Sequence, residues 1–168
     1  SFEHIVNMLY AMGKGDPEKG WGYVQDLAKN LGGKLLSGSS AVYKGVADGE
    51  YTVGLTFEEG AATYVKSKAP VKIVYMSEGV ISKADGTAII KGAKNAENAK
   101  KFIDFVSSKE TQTMIASDLN RRSVRKDVPP GEGLLPLTKI KLIQDNTEVV
   151  NKSKRQWPEK FKDIYTSL

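Results

Sequence analysis

Cysteine is absent from the 168 residues, which excludes disulfides and cysteine-ligated metal sites. Histidine occurs once, at His4, too sparse for a metal centre and better suited to helix packing or the surface. No apolar run approaches the roughly 20 residues that span a bilayer. No nucleophile stands with a recognisable base, so the pattern points to recognition instead of catalysis, and an enzyme domain with a phosphate cradle is the weaker alternative. The densest basic cluster, Arg121, Arg122 and Arg125 with Lys126, is flanked by Asp118 and Asp127 and lacks interleaved aromatics. It reads as a solvated or ion-paired face, and no nucleic-acid partner is expected. The two tryptophans, Trp21 and Trp157, read as packing residues.

What is present is ordinary for a globular chain: 40% hydrophobic and 27% charged residues. The net charge of +5, from 25 basic and 20 acidic side chains, is scattered. It serves solubility, with an anionic ligand as the competing reading. Apolar residues at Phe2, Ile5, Val6, Leu9 and Met12 predict a helix ending at Gly13. Asp16-Pro17 opens a second helix carrying Trp21, Val24, Leu27, Ala28 and Leu31, closed by Gly32-Gly33. Strands are predicted at 34–37, 51–57 and 71–76, with a tight turn at Asp85-Gly86 between 80–82 and 87–90. Helices are predicted at 41–48, 60–66, from Asn95, from a capping box at Ser107 to Glu110, and near 145–154 and 158–167. Met114, Ile115 and Leu119 are the expected buried positions of the capping-box helix. Strands alternating with helices give an α/β class, a central sheet covered on both sides.

The stretch from Ser37 to Gly60 carries the most chemistry. Ser37, Ser39 and Ser40 precede a short helix whose free backbone N–H groups and dipole suit an anion. A plain N-cap and turn would use the same residue types. Thr56, Phe57, Glu58 and Glu59 follow the next strand, at the end where α/β sheets bind ligands. Acids decorating a helix N-terminus are the bland reading of Glu58-Glu59. Glu78 follows the strand at 71–76 and is either a crevice residue or part of a surface turn.

Gly49-Glu50, Tyr51 to Val53, Gly54-Leu55 and Thr56 to Glu59 resemble the second lobe of extracytoplasmic solute-binding proteins that serve ABC importers. The likeness continues through Ala69 to Gly79 and Ala84 to Gln112, towards the group of ferric-iron, phosphonate and sugar-phosphate binders. It implies a three-layer periplasmic-binding-protein-like α/β lobe with C-terminal helices. Residues 1–92 would form the ligand-binding lobe and 93–168 a helical return segment. It also implies binding without catalysis, no cofactor, an extracytoplasmic location and an ABC permease as partner. The expected ligand is a small anionic organic solute: a sugar phosphate, phosphoglycerate or phosphonate. Ser1, Ser37, Ser39, Ser40, Thr56, Phe57, Glu58 and Glu78 are its candidate contacts. Ferric-iron members of the group carry adjacent tyrosines where Phe57 and Glu58 stand, so iron is the alternative. With no initial Met and a helix cap at Ser1, the chain reads as a fragment whose first lobe is missing. Phe102, Ile103, Val106 and Met114 are then expected to be bare and to favour self-association.

Overall fold

The computed structural model describes residues 1–32 and 34–168, so the helix stop expected at Gly33 lies outside it. Among the described residues the chain forms eight α-helices. These are α1 (Phe2–Met12), α2 (Trp21–Leu31), α3 (Ser39–Ala47), α4 (Glu58–Lys66), α5 (Ala96–Ser107), α6 (Lys109–Asp118), α7 (Thr147–Lys152) and α8 (Gln156–Thr166). They distribute over two compact units. The first comprises Ser1–Val42, Val74–Ser82 and Leu137–Leu168, the second Tyr43–Ile73 and Lys83–Pro136.

The first unit is built on an apolar centre. Ile5, Val6, Leu9 and Tyr10 recur at helical spacing on α1 and meet Trp21 and Val24 of α2, Val150 of α7 and Trp157 of α8. Leu9 and Val6 are almost wholly enclosed. The rings of Phe2 and Tyr10 flank Trp157 at 6.3 and 6.4 Å. Lys160 lies 4.4 Å from the centre of the Trp21 ring, a cation over a π face. Both tryptophans therefore pack as expected. Asp16 caps the 3₁₀ turn Pro17–Gly20 that leads into α2, accepting from the Glu18 N–H. Three side chains fix the surrounding loops by accepting backbone N–H groups. Asn7 accepts from Ile81 at 2.6 Å, Tyr10 from Asn146 at 3.2 Å, and Tyr165 from Leu35 at 3.1 Å.

The expected central sheet is not formed among the described residues. The only pairing there is an isolated parallel bridge between Val80 and Leu142. It is made by Val80 N–H to Lys141 and Ile143 N–H to Val80. Segments 34–37, 51–57 and 71–76 lie outside any ladder. Strand propensity reflects a fit to a half-buried pleated surface, and it is realised only against a neighbour. Here Val53 and Val74 are about three-quarters exposed, with no such neighbour beneath them. The turn expected at Asp85-Gly86 fails for the same reason, since Val80 pairs with Leu142 instead of with 87–90.

The second unit relies more on polar contacts. Gly49, at φ +79°, takes the left-handed conformation that stops α3. The α5–α6 junction is capped by Ser108, not Ser107: its hydroxyl accepts from the Thr111 N–H at 3.2 Å. On α6 the buried residues are Thr111, Gln112 and Ala116, whereas Met114 and Leu119, expected inside, are about half exposed. Buried Gln112 explains the rotation of that face. Its amide donates to the Val106 carbonyl at 2.7 Å, while its oxygen accepts from Ser123 Oγ and the Val124 N–H. Phe102 is exposed as expected, joined by Phe105; Met114, for which the helix pattern and the bare-face reading gave opposite expectations, follows the bare-face one, while Ile103 and Val106 are half-buried.

Leu9→Ala should lower unfolding stability by about 2–5 kcal/mol, because the site is enclosed and cannot collapse freely. Met114→Ala should stay within about 0.5 kcal/mol. Chemical denaturation of both variants compares them directly, and equal losses would contradict the assigned core.

Candidate functional site

Phe57 enters α4 in an extended conformation, and Glu58 and Glu59 occupy the first helical turn, where the dipole favours negative charge. Behind them the Tyr43 ring packs against the helix. A Cβ at Gly60 would fall 2.2 Å from a ring atom of Tyr43, so glycine is what permits the approach. Phe57 meets the Tyr43 ring edge-on at 6.1 Å and Tyr64 approaches it at 5.5 Å.

Glu58 is held by Arg122 through a bidentate fork. The guanidinium Nε and Nη2 donate to the two carboxylate oxygens at 2.7 and 2.6 Å. Both side chains are largely shielded, at 23% and 18% exposure. Arg122 Nη2 also donates to the Leu135 carbonyl at 2.7 Å. One residue along, Arg121 pairs with Glu59 at 2.8 Å and with Asp85 at 3.3 Å in a more exposed setting. Arg125 forks Asp127 at 2.8 and 3.0 Å. The basic cluster is thus ion-paired, through flanking Asp127 for Arg125 and through acids distant in sequence for Arg121 and Arg122.

Of the candidate contacts, Ser1, Ser37, Ser39, Ser40 and Glu78 belong to the first unit, and Thr56, Phe57 and Glu58 to the second. Ser37, Ser39 and Ser40 are exposed around the start of α3. Ser1 is exposed too, its hydroxyl donating to Glu3 at 3.2 Å without capping α1. Glu78 is exposed, and its carboxyl sits below its ordinary pKa. Its own backbone N–H and then the Ser77 hydroxyl stabilise the charged form. Thr56 Oγ1 is buried with no hydrogen-bond partner among the described residues. Phe57 exposes 44% of its surface. The bland reading of Glu58-Glu59 as acids of a helix N-terminus holds, since α4 starts at Glu58, two residues ahead of the helix expected at 60–66; Arg122, 64 residues away in the chain, was missed. The adjacent doublets Glu58-Glu59 and Arg121-Arg122, of opposite sign, were the available signal.

No group of three or more His, Asp or Glu among the described residues is arranged to hold a metal ion. No described helix is long and apolar enough to cross a membrane. Residues 6–161 match the profile of the family described as bacterial extracellular solute-binding protein. The chain belongs to that family. The family's description is one of solute binding.

Among solved structures, the periplasmic binding protein AfuA of Actinobacillus pleuropneumoniae, with exogenous fructose-6-phosphate bound, superposes with a TM-score of 0.81. The two are 26% identical, over 98% of this chain and 52% of AfuA. The periplasmic-binding-protein-like fold is thereby established at the level of overall path. A curated relative, an uncharacterised protein of Haemophilus influenzae, is 34% identical over 92 residues, 55% of this chain and 26% of the relative. The chain spans about half the length of AfuA, and its match covers about a quarter of the Haemophilus protein.

The Arg125–Asp127 fork has a pH consequence. The Arg125 hydrogen bond holds the Asp127 carboxyl below its ordinary value of 3.8. A depressed folded-state pKa contributes stability above the unfolded value and loses it as pH falls through the folded one. Arg125→Ala should raise the Asp127 titration seen by carbonyl-detected NMR and flatten the acid limb of a stability–pH profile below about pH 4. An unmoved Asp127 titration would exclude the fork in solution.

Proposed function

We propose that this protein captures a small anionic organic solute, a sugar phosphate first among them, for delivery to an ABC importer. Phosphoglycerate and phosphonate are the neighbouring choices. The observation that carries the reading is the likeness to AfuA over 98% of the chain, AfuA having been solved with fructose-6-phosphate. Ser39 and Ser40 at the start of α3, with Ser37 beside them, are the proposed anion contacts; Ser1 and Glu78 are secondary candidates. Thr56 and Phe57 contribute a hydroxyl and a ring face, and Glu58 accepts from solute hydroxyls. Residues 1–92 are assigned to ligand capture and 93–168 to the return segment, with hinge closure as the capture step. The segments at 34–37, 51–57 and 71–76 are the strands this assembly would place in a three-layer sheet. The location that fits is extracytoplasmic, and the exposed apolar side chains Phe102, Phe105 and Met114 of α5 and α6 favour self-association.

Isothermal calorimetry with fructose 6-phosphate on the full-length protein tests this. Replacing Ser39 and Ser40 together with Ala should weaken binding by about 1–3 kcal/mol, the cost of leaving polar groups of the bound solute unmet. Unchanged affinity would move the anion site elsewhere.

Ferric iron is the second reading within the same family, and the residue chemistry disfavours it. Phe57 and Glu58 stand where iron binders carry a tyrosine pair. Tyr51 donates to Glu50 at 2.7 Å, which pushes its phenol above the ordinary value and makes a phenolate harder to form. Titration with ferric citrate should produce no tyrosinate charge-transfer band. A strong band lost in Tyr51→Phe or Tyr64→Phe would reverse the choice.

A further inference from the structure

Phe57, Tyr43 and Tyr64 form a cluster of three rings, and all three residues lie within the second unit. Positions 57, 60 and 64 fall on one face of α4 by their spacing of three and four residues. The Tyr43 ring is seated on that face, against the bare backbone at Gly60. Tyr64 braces it at 5.5 Å, and Phe57 meets it at 6.1 Å with 85° between the ring planes. Tyr43 and Tyr64 are half-buried, whereas Phe57 is exposed.

A lone exposed phenylalanine is ordinary, but this one is held. It leaves an extended backbone, φ −89° and ψ 156°, at the head of α4. With Tyr43 seated at Gly60, the Phe57 ring is kept off that part of the helix. Only two side-chain torsions need fixing, so presenting the ring to a ligand costs little in ordering. What it presents is apolar carbon with a slightly negative face.

The closed ring of a sugar is the matching surface. Closure holds several C–H bonds on one side in a fixed array that is apolar and slightly positive. An open-chain phosphate must freeze several torsions to offer the same array. Phosphoglycerate and simple phosphonates have no such face.

We propose that this ring cluster selects solutes with a closed sugar ring over acyclic phosphates, with Phe57 as the contacting ring and Tyr43 as its positioning residue. The inference rests on the sugar-phosphate reading above and narrows the solute class within it. Covering about 55 Å² of carbon at the usual transfer coefficient gives roughly a tenfold preference.

The test compares two ligands by calorimetry in the full-length protein. One is fructose 6-phosphate, which closes to a furanose; the other is glucitol 6-phosphate, its open-chain counterpart. The readout is the ratio of their affinities, because general damage to the fold lowers both together. Wild type should prefer the closed ring by about tenfold. Phe57→Leu, apolar but without a planar face, should bring the ratio near unity. Tyr43→Phe keeps the ring and should leave the ratio unchanged, while Tyr43→Leu should lower it. Gly60→Ala displaces the Tyr43 ring without removing it and should lower the ratio likewise, which covers a Tyr43→Leu variant that fails to fold. A wild-type ratio near unity, or a preference that survives Phe57→Leu, overturns the proposal and leaves the anionic-solute reading standing. A ratio lost in Phe57→Leu but kept in Tyr43→Leu and Gly60→Ala overturns the positioning role of Tyr43. A wild type that binds neither ligand overturns the sugar-phosphate reading, and this proposal with it.

Discussion

The Glu58–Arg122 fork is the contact on which the second unit most depends. That unit has few fully buried apolar residues: Ala62, Ala116, Val128 and Leu134 are small or medium-sized. In place of a large core, α4 is bound along its length to the end of α6 and the segment that follows. Lys66 donates to the Ser117 carbonyl, Thr63 accepts from Asn120, Glu59 pairs with Arg121, and Glu58 with Arg122. The partners advance in opposite chain directions, 66 to 58 on one side and 117 to 122 on the other. Apolar packing tolerates a shift in register, whereas this seam does not. Each bond is directional, and the one at Glu58 is bidentate and shielded.

The first unit is stabilised differently, and the contrast bears on function. Its centre of Leu9, Val6, Trp21 and Trp157 supplies non-directional burial. Its loops are then located by backbone N–H groups donating to Asn7, Tyr10 and Tyr165. Tyr165 is notable because it reaches Leu35, two residues ahead of Ser37. The segment leading to the serine-rich start of α3 is thereby tied to α8, an element 130 residues later in the chain. Such a segment has its position set by the core while its own side chains stay exposed.

The helices were largely legible in the sequence because their signals are local. For α1 both ends were readable, and for α8 the ends shift by no more than two residues. The capping signal at the α5–α6 junction was misread by one position, since two adjacent serines offer the same chemistry and only Ser108 meets the Thr111 N–H. Met114 and Leu119 were misassigned because apolarity alone cannot reveal that Gln112 has three partners inside. The strands failed for a different reason. A ladder is made by a second segment, and nothing in 51–57 or 71–76 states which neighbour will be present. The family, by contrast, was readable in the sequence from Gly49 to Gln112. Glu58 was identified as a candidate, but the residue that determines its behaviour was not, because their sequence separation of 64 leaves only matched charge doublets as a trace.

Solute binding has no transition state to stabilise, so its chemistry reduces to presenting fixed donors and acceptors at low cost in ordering. Flexible acids are poor for that purpose, because each must lose rotamer freedom and solvent when ligand arrives. In the role proposed for it, Glu58 would escape both penalties. Its rotamer is set by Arg122 and its desolvation is already offset in the unliganded protein by two short charge-assisted bonds. The neighbouring Glu59–Arg121 pair lacks this quality, being 36% and 51% exposed and shared with Asp85. Exposed pairs of that type contribute about 0–1 kcal/mol and are easily exchanged for water. Two adjacent acids with two adjacent arginines therefore end in different physical states. One is a fixed polar surface and the other a solvated charge, and only the fixed one has the pre-organisation that recognition requires.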